Sequence, residues 1–351
     1  MKRILLPLIL MILVSCSTGQ QSKDKTNSPT TEIATPTNSI YYWRTVFQLN
    51  ETEEEFLKKY DVKKLYLRMF DVMPTDDPTE QQYSMIKPNA TTIFKSPIPE
   101  DVEVAPTVYI TFDALKYMKD SEKKSAELIA NRILTMAKAN KLVDIKEIQV
   151  DCDWTKTTEK SYFAFCRYMR DLLHSKGIAL SSTIRLHQLR GNMPAVDRGT
   201  LMLYNTGSVK NVKIVNSILS FDDVEAYAKN IDELSIPLDF AYPTFSWGAR
   251  FRYDMFLALM RCDDFSNTEL YRLKDNGTYE VIKDHEYQGQ KISKGETIRV
   301  EHSHFDEIKR VKTYIEDKIK QSSYSTIIYH LDSRNLSKYN DNEIKTIYNR
   351  N

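Results

Sequence analysis

The sequence is poor in glycine, with 9 in 351 residues, and none of the nine falls in a GxGxxG or GxxxxGK pattern. That argues against a backbone cradle for phosphate and against the nucleotide chemistry that needs one. There is no excess of either charge: 49 Lys and Arg face 48 Asp and Glu, a net of +1 with a pI near 7.6. Without a broad basic field, nucleic acid is not an expected partner. The longest apolar run, Ile4 to Val14, is too short to span a bilayer core of about 30 Å. No GxSxG turn offers a nucleophile elbow. The four cysteines show no CxxC spacing, so neither a zinc site nor a disulfide framework is indicated, and no metal or cofactor is expected. What is there is an ordinary globular balance, 41% hydrophobic and 28% charged, enriched in aromatics: 21 Tyr, 14 Phe and 3 Trp. Such rings form cores, and they also form sugar-stacking surfaces.

Lys2 and Arg3 precede the apolar run, which ends in Leu13-Val14-Ser15-Cys16. Residues 1–16 therefore read as a signal peptide, and their end resembles a bacterial lipobox. The resemblance implies that Cys16 is lipidated and becomes the mature N-terminus. The protein would then be extracytoplasmic, anchored to a bacterial membrane by acyl chains without a transmembrane helix. Ser17 fits onward sorting to the outer membrane. Residues 17–38 are rich in Ser, Thr, Gln, Lys and Pro and have almost no aliphatic side chains, the composition of a flexible tether. Cys152, Cys166 and Cys262 are expected as buried free thiols.

From residue 39 to 351, β-rich apolar runs alternate with helical patterns. Eight runs are read as strands: 40–44, 64–72, 107–113, 147–153, 179–189, 200–206, 237–244 and 325–331. Helices are expected between them, including one from about Glu53 with a Thr52/Glu55 capping box, one over 158–176 capped by Gly177, and one near 253–261. Residues 270–300 carry an Asn276-Gly277 turn between alternating segments and are read as a small antiparallel insertion. The α/β pattern points to a (β/α)8 TIM barrel, with an open doubly wound sheet as the competitor.

A barrel places its chemistry at the C-terminal ends of its strands. The polar residues there include Arg68 and Asp71 on the second run, Asp113 on the third, Asp151 and Asp153 on the fourth, Arg185 and His187 on the fifth, Tyr204 and Asn205 on the sixth, Tyr242 on the seventh, and His330 and Asp332 on the eighth. Asp151 and Asp153 are two apart and share a strand face, as do Thr183, Arg185 and His187, so these sets converge on one mouth. Asp151 and Asp153 are the candidate catalytic carboxylates. Arg185, His187, Tyr204, Asn205, Tyr242, Trp247, Asp71 and Asp113 are the candidate substrate-binding residues, with Trp154, Trp247 or Tyr242 as stacking walls. The competing reading is a structural ion-pair network in the barrel mouth.

The run Val150-Asp151-Cys152-Asp153-Trp154-Thr155 resembles the strand-four motif of glycoside hydrolase family 18, in which two aspartates and a tryptophan lead to a catalytic glutamate. Met202-Leu203-Tyr204-Asn205 is similar to that family's Met-x-Tyr-Asp. More broadly the chain resembles glycoside-hydrolase-like barrels carried behind lipobox leaders in Bacteroidetes. The resemblance implies a glycan or glycopeptide ligand and, in an active member, hydrolysis. It departs from the family at Thr155, which stands where the glutamate is expected, and at Asn205, which stands for the second aspartate. Two functions therefore stay open: a surface glycosidase, or an inactive barrel that binds glycans or supports a surface complex. The sugar and the oligomeric state are not readable.

Overall fold

The computed structural model describes residues 36–261 and 264–350. The leader, Cys16, all but the end of the tether and Cys262 lie outside the described residues. Eight parallel strands close into a barrel: β1 (Asn38–Tyr42), β2 (Val62–Pro74), β3 (Glu103–Ile110), β4 (Glu147–Cys152), β5 (Ala179–Ile184), β6 (Arg198–Met202), β7 (Leu238–Pro243) and β8 (Thr326–Tyr329). Each strand pairs with the next in sequence, and β1 closes the ring by pairing with both β2 and β8, Ile40 lying opposite Leu65 on one side and Ile328 on the other. The longer helices on the outside are α1 (Glu51–Lys59), α2 (Glu122–Ala139), α3 (Glu159–His174), α4 (Phe221–Tyr227), α5 (Phe305–Lys318) and α6 (Asp341–Tyr348).

Local chemistry sets several boundaries differently from the sequence expectation. The capping box of α1 uses Asn50 and Glu53, not Thr52 and Glu55, because Asn50 is the residue left extended before the helix and accepts from the Glu53 N–H at 2.9 Å. β5 stops at Ile184, and Leu186–Arg190 form a 3-10 turn instead of more strand. β2 overshoots the barrel, and its last residues pair antiparallel with Ile86–Asn89, so one side of the mouth carries a hairpin wall. Gly177, at φ +72°, follows α3 in the left-handed conformation that glycine tolerates best.

The insertion is wider than residues 270–300. It begins at Ser246, directly after β7, and runs to His302 as a five-stranded antiparallel sheet. The segment expected as a helix near 253–261 is a strand, Met255–Met260, joined to Ser246–Arg252 by a tight turn at Tyr253 and Asp254, both at positive φ. A short apolar run has no periodicity that separates helix from strand, and pairing with its neighbour decides. The sheet has its own small core of Met260, Phe265, Tyr271, Val281, Ile292 and Ile298. A buried Arg250–Glu296 ion pair at 2.6 Å adds to it.

The barrel interior is polar, layer upon layer. At the bottom, Lys64 pairs with Glu147 at 2.8 Å and Glu103 at 2.9 Å, and Arg198 pairs with Asp239 at 3.0 Å. One layer up, Gln149 accepts from the Tyr41 hydroxyl at 2.6 Å and donates to Thr200 at 3.1 Å. Above that, Asp151 accepts from Thr183 at 2.6 Å. The inward series of β4 is thus Glu147, Gln149, Asp151, while Ile148, Val150 and Cys152 face the helices. Burial pushes the Glu147 carboxyl up, but Lys64, Ser181 and Tyr66 outweigh it and hold it below its ordinary range. Glu147 therefore stabilises the fold above about pH 4.3, and its contribution fades as pH falls through its folded-state pKa. Lys64→Met, which strands two carboxylates, is expected to cost about 3–5 kcal/mol at pH 7 and less in acid, read from urea midpoints at both pH values. An unchanged midpoint would contradict the pairing.

Candidate functional site

The mouth is organised by Arg185. Its backbone N–H donates to Gln188 Oε1 at 2.7 Å, and the Gln188 amide donates to the carbonyl of Trp154 at 3.0 Å, which ties the 3-10 turn after β5 to the end of β4. The guanidinium donates from Nε to Asp153 Oδ1 at 2.5 Å and lies 3.7 Å from Asp151 Oδ1. Asp151 is buried and also holds the Thr183 hydroxyl, whereas the Asp153 side chain keeps 43% of its surface exposed. Burial is the main reason the Asp151 carboxyl titrates above its ordinary value; Arg185 opposes the shift and Asp153 adds to it. In register with Asp151 on the neighbouring strand is Tyr109, whose hydroxyl is pushed up by burial and by both aspartates.

Aromatic rings continue the wall around β8 and β1. Tyr204 is buried and stacks on Tyr329 with centroids 4.7 Å apart and planes 29° apart. Trp43 leans on Tyr329 at 6.2 Å, Phe245 meets Tyr204 edge-on at 6.0 Å, and Trp247 packs on Phe245 at 5.0 Å while its indole N–H donates to Glu301 at 3.1 Å. The Tyr204 hydroxyl is buried and has no hydrogen-bond partner among the described residues. The residue borders a cavity of about 340 Å³ lined also by Asp153, Arg185, His187, Asn205, Thr206 and Tyr227. Asn205 reaches the rim because its backbone takes φ +54°, a left-handed conformation that asparagine accepts more readily than most residues. Polar groups and rings converging on one concave mouth are what a sugar site requires, since hydroxyls need hydrogen-bond partners and the apolar face of a pyranose needs a ring.

The structure brings together Asp151, Asp153, Arg185, His187, Tyr204 and Asn205, with His187 on the 3-10 turn instead of a strand. Asp71 stands nearby, raising Asp151 through space, but is paired with Arg68 at 2.8 Å. Trp247 extends the aromatic wall without lining the cavity. Three residues are misplaced by the sequence reading. Tyr242 has the parity of Phe240, which packs on Tyr324, so it faces outward under α5, where Glu316 and Tyr324 act on it. Asp113 sits exposed in the first turn of a short helix, Phe112–Tyr117, paired with Lys116 at 3.0 Å. Trp154 likewise turns outward, onto Tyr162 and Phe163 of α3. Tyr109, Tyr329, Trp43, Phe245 and Tyr227 were missed. Tyr109 was findable by extending the inward parity of β4 to β3; Tyr227 lies on a helix, where strand parity gives no signal. Among the described residues no group of three or more His, Cys, Asp or Glu is placed to hold a metal ion.

No protein-family model matches the chain, and no curated protein matches it. Among solved structures, its fold is similar to a chitinase from Chromobacterium violaceum, with a TM-score of 0.49 and 12% identity over 90% of this chain and 100% of that one. It is also similar to the spore cortex-lytic enzyme SleL of Bacillus megaterium, with a TM-score of 0.48 and 12% identity over 86% of this chain and 72% of that one. A third is catalytic domain 2 of the Ostrinia furnacalis Group II chitinase, with a TM-score of 0.46 and 10% identity over 89% and 95%.

If Arg185 is the shared counter-charge of the mouth, its loss strands Asp151 in a buried site. Arg185→Met is expected to destabilise the chain by about 3 kcal/mol at pH 7, the lower end for breaking a buried pair. The loss should shrink in acid, because a carboxyl whose folded pKa is raised favours the fold below that value and costs stability above it. Denaturation at pH 4.5 and 7 measures both, and equal losses would refute the coupling.

Proposed function

We propose that the barrel mouth binds a polysaccharide or glycopeptide and does not hydrolyse it, and that lipid on Cys16 holds the chain at a bacterial membrane surface outside the cytoplasm. The observation that carries the first part is the fate of the carboxylates. Glycoside hydrolysis needs at least one of them free to act as the acid and, outside the substrate-assisted families, a second as base or nucleophile. Here Asp153 is held by Arg185, Asp151 is buried beneath it with Thr183 on its oxygen, and Asp71 is taken by Arg68. Thr155, which stands where the family resemblance places the acid, has no carboxyl, and its hydroxyl is shared with Thr157 at 2.9 Å. A raised Asp151 pKa is the direction a general acid needs, but its oxygen faces Thr183 and Arg185 instead of the open cavity.

Binding needs less. Asp153 retains an exposed edge that accepts sugar hydroxyls, the Tyr204 hydroxyl is unpartnered among the described residues, and Tyr227 and the Trp43–Tyr329 wall supply rings. The anchoring part of the reading is supported by Lys2 and Arg3, the apolar run and the cysteine spacing of the leader.

A panel of glycans tested for both binding and cleavage is expected to yield a ligand that is bound and released intact. Tyr204→Phe should weaken its binding by about tenfold, the value of one hydrogen bond, and Asp153→Asn should weaken it without unfolding. Cleavage by the wild type, lost in Asp153→Asn with binding retained, would overturn the binding-only reading in favour of a glycosidase. For the anchor, mass spectrometry of the N-terminal peptide should find acylated Cys16, and Cys16→Ser should move the chain out of the membrane fraction; an unmodified chain starting elsewhere would sink it.

A further inference from the structure

A second cavity, of about 250 Å³, lies behind the aromatic wall, between the segment after β7, the entry to α5 and the approach to α6. Lys338, His302 and His304 line it. The Lys338 ammonium donates to Ser246 Oγ at 2.5 Å, which leaves further N–H donors unspent. The two imidazoles stand 6.0 Å apart, and neither has a hydrogen-bond partner among the described residues. The floor is fixed: Ser303 donates from its hydroxyl to the Phe245 carbonyl at 2.8 Å, and the Tyr339 hydroxyl donates to the Ser303 carbonyl. The one carboxylate in the lining, Glu343, is committed to capping α6, where it accepts from the Asn340 N–H at 2.7 Å.

We propose that this cavity binds an oxyanion carried by a glycan, a uronate carboxylate or a sulfate ester, through Lys338, His302 and His304. Three cationic or protonatable groups face one space, and Glu343, the one carboxylate in the lining, makes no ion pair with any of them and is turned to its own helix cap. His302 reports the imbalance: burial, then Lys338, then His304 hold its proton affinity down, with no acidic group opposing them. An oxyanion would accept from the ammonium and from both imidazoles at once, the charge-assisted bonds that outweigh neutral ones. The start of α5, with His304 as N-cap and no side-chain cap, adds its dipole to the same side, although Asp306 and Glu307 in its first turn offset part of that field. Phe245 lines this cavity on one side and packs on Tyr204 and Tyr329 on the other, so the cavity and the mouth share a wall, and the glycan named as carrier of the oxyanion is the one proposed for the mouth. In that respect the inference rests on the glycan reading of the mouth.

The test keeps the two apart. Sodium sulfate and glucuronate are titrated separately into the full chain at constant ionic strength while the imidazole NMR signals of His302 and His304 are followed; His174 on α3, held by Asp197 and lining neither cavity, is the internal control. Saturable shifts of both signals are expected, with His174 unmoved and affinity lowered about tenfold in Lys338→Met and in His304→Gln. The anion that binds more tightly identifies the source. A sulfated or uronate-bearing oligosaccharide should then lose affinity in Lys338→Met, while a neutral oligosaccharide does not. Failure of both anions to shift His302 and His304 overturns the site, whether or not the mouth binds sugar. Shifts without any oligosaccharide binding would leave an oxyanion site and overturn its glycan source, and with it the reading of the mouth.

Discussion

Charge inside a closed barrel has nowhere to go but to another charge, and that constraint shapes this molecule from bottom to mouth. Lys64 answers Glu147 and Glu103, Arg198 answers Asp239, and Arg185 answers Asp151 and Asp153. A carboxylate taken out of water is tolerated only where such a partner and a further hydrogen bond are both in place. The hydroxyls of Thr183 and Ser181 and the backbone N–H of Ser325 supply those further bonds, so the interior is an ordered polar column, not a filling of aliphatic side chains. The column ends at Arg185, where the same constraint that keeps the fold intact holds both aspartates of the mouth. On the proposed binding-only reading, structural pairing and catalytic idleness have one cause.

Much of this was legible in the sequence, because closed parallel barrels repeat a simple pattern. Alternation along Glu147 to Asp153 identified the inward face of β4, and the same rule brought Arg185 to its neighbour. Where the rule failed, tertiary contacts had decided instead. Tyr242 and Trp154 are large enough to belong to either side of a strand, and the packing of α5 and α3 drew them outward. Asp113 was assigned to a strand that stops three residues earlier, at Ile110, and a helix start turned it to solvent. Met255–Met260 is six apolar residues with no polar face to reveal a period, so only its partner strand makes it a strand. The aromatic wall was invisible for a different reason: its members come from five separate segments, each contributing a ring that alone looks like core.

The insertion owes its independence to a core of its own and to Arg250–Glu296, and it meets the barrel through few groups. Glu301 is the principal joint: it accepts from Arg299, from the Ser217 backbone and from Trp247. A buried carboxylate with that many donors positions the sheet against the β6–α4 loop and at the same time fixes the indole that extends the aromatic wall. The shape of the mouth on this side is therefore set by a sheet outside the barrel.

The Tyr204 hydroxyl, held by a ring stacked on Tyr329, is buried and finds no partner among the described residues, so a group that satisfies it, water or the proposed ligand, must reach it inside the wall. Because the ring is fixed on both sides by other aromatics, the atom does not move to meet its visitor. A guest with a polar atom at that point replaces solvent at no cost in rearrangement. One that presents only carbon there drives the solvent off and gives nothing back, a penalty far larger than any gain from a slightly better fit elsewhere. On the proposed glycan reading, selection at this mouth works by refusal: the stacked tyrosine sorts ligands by what they lack.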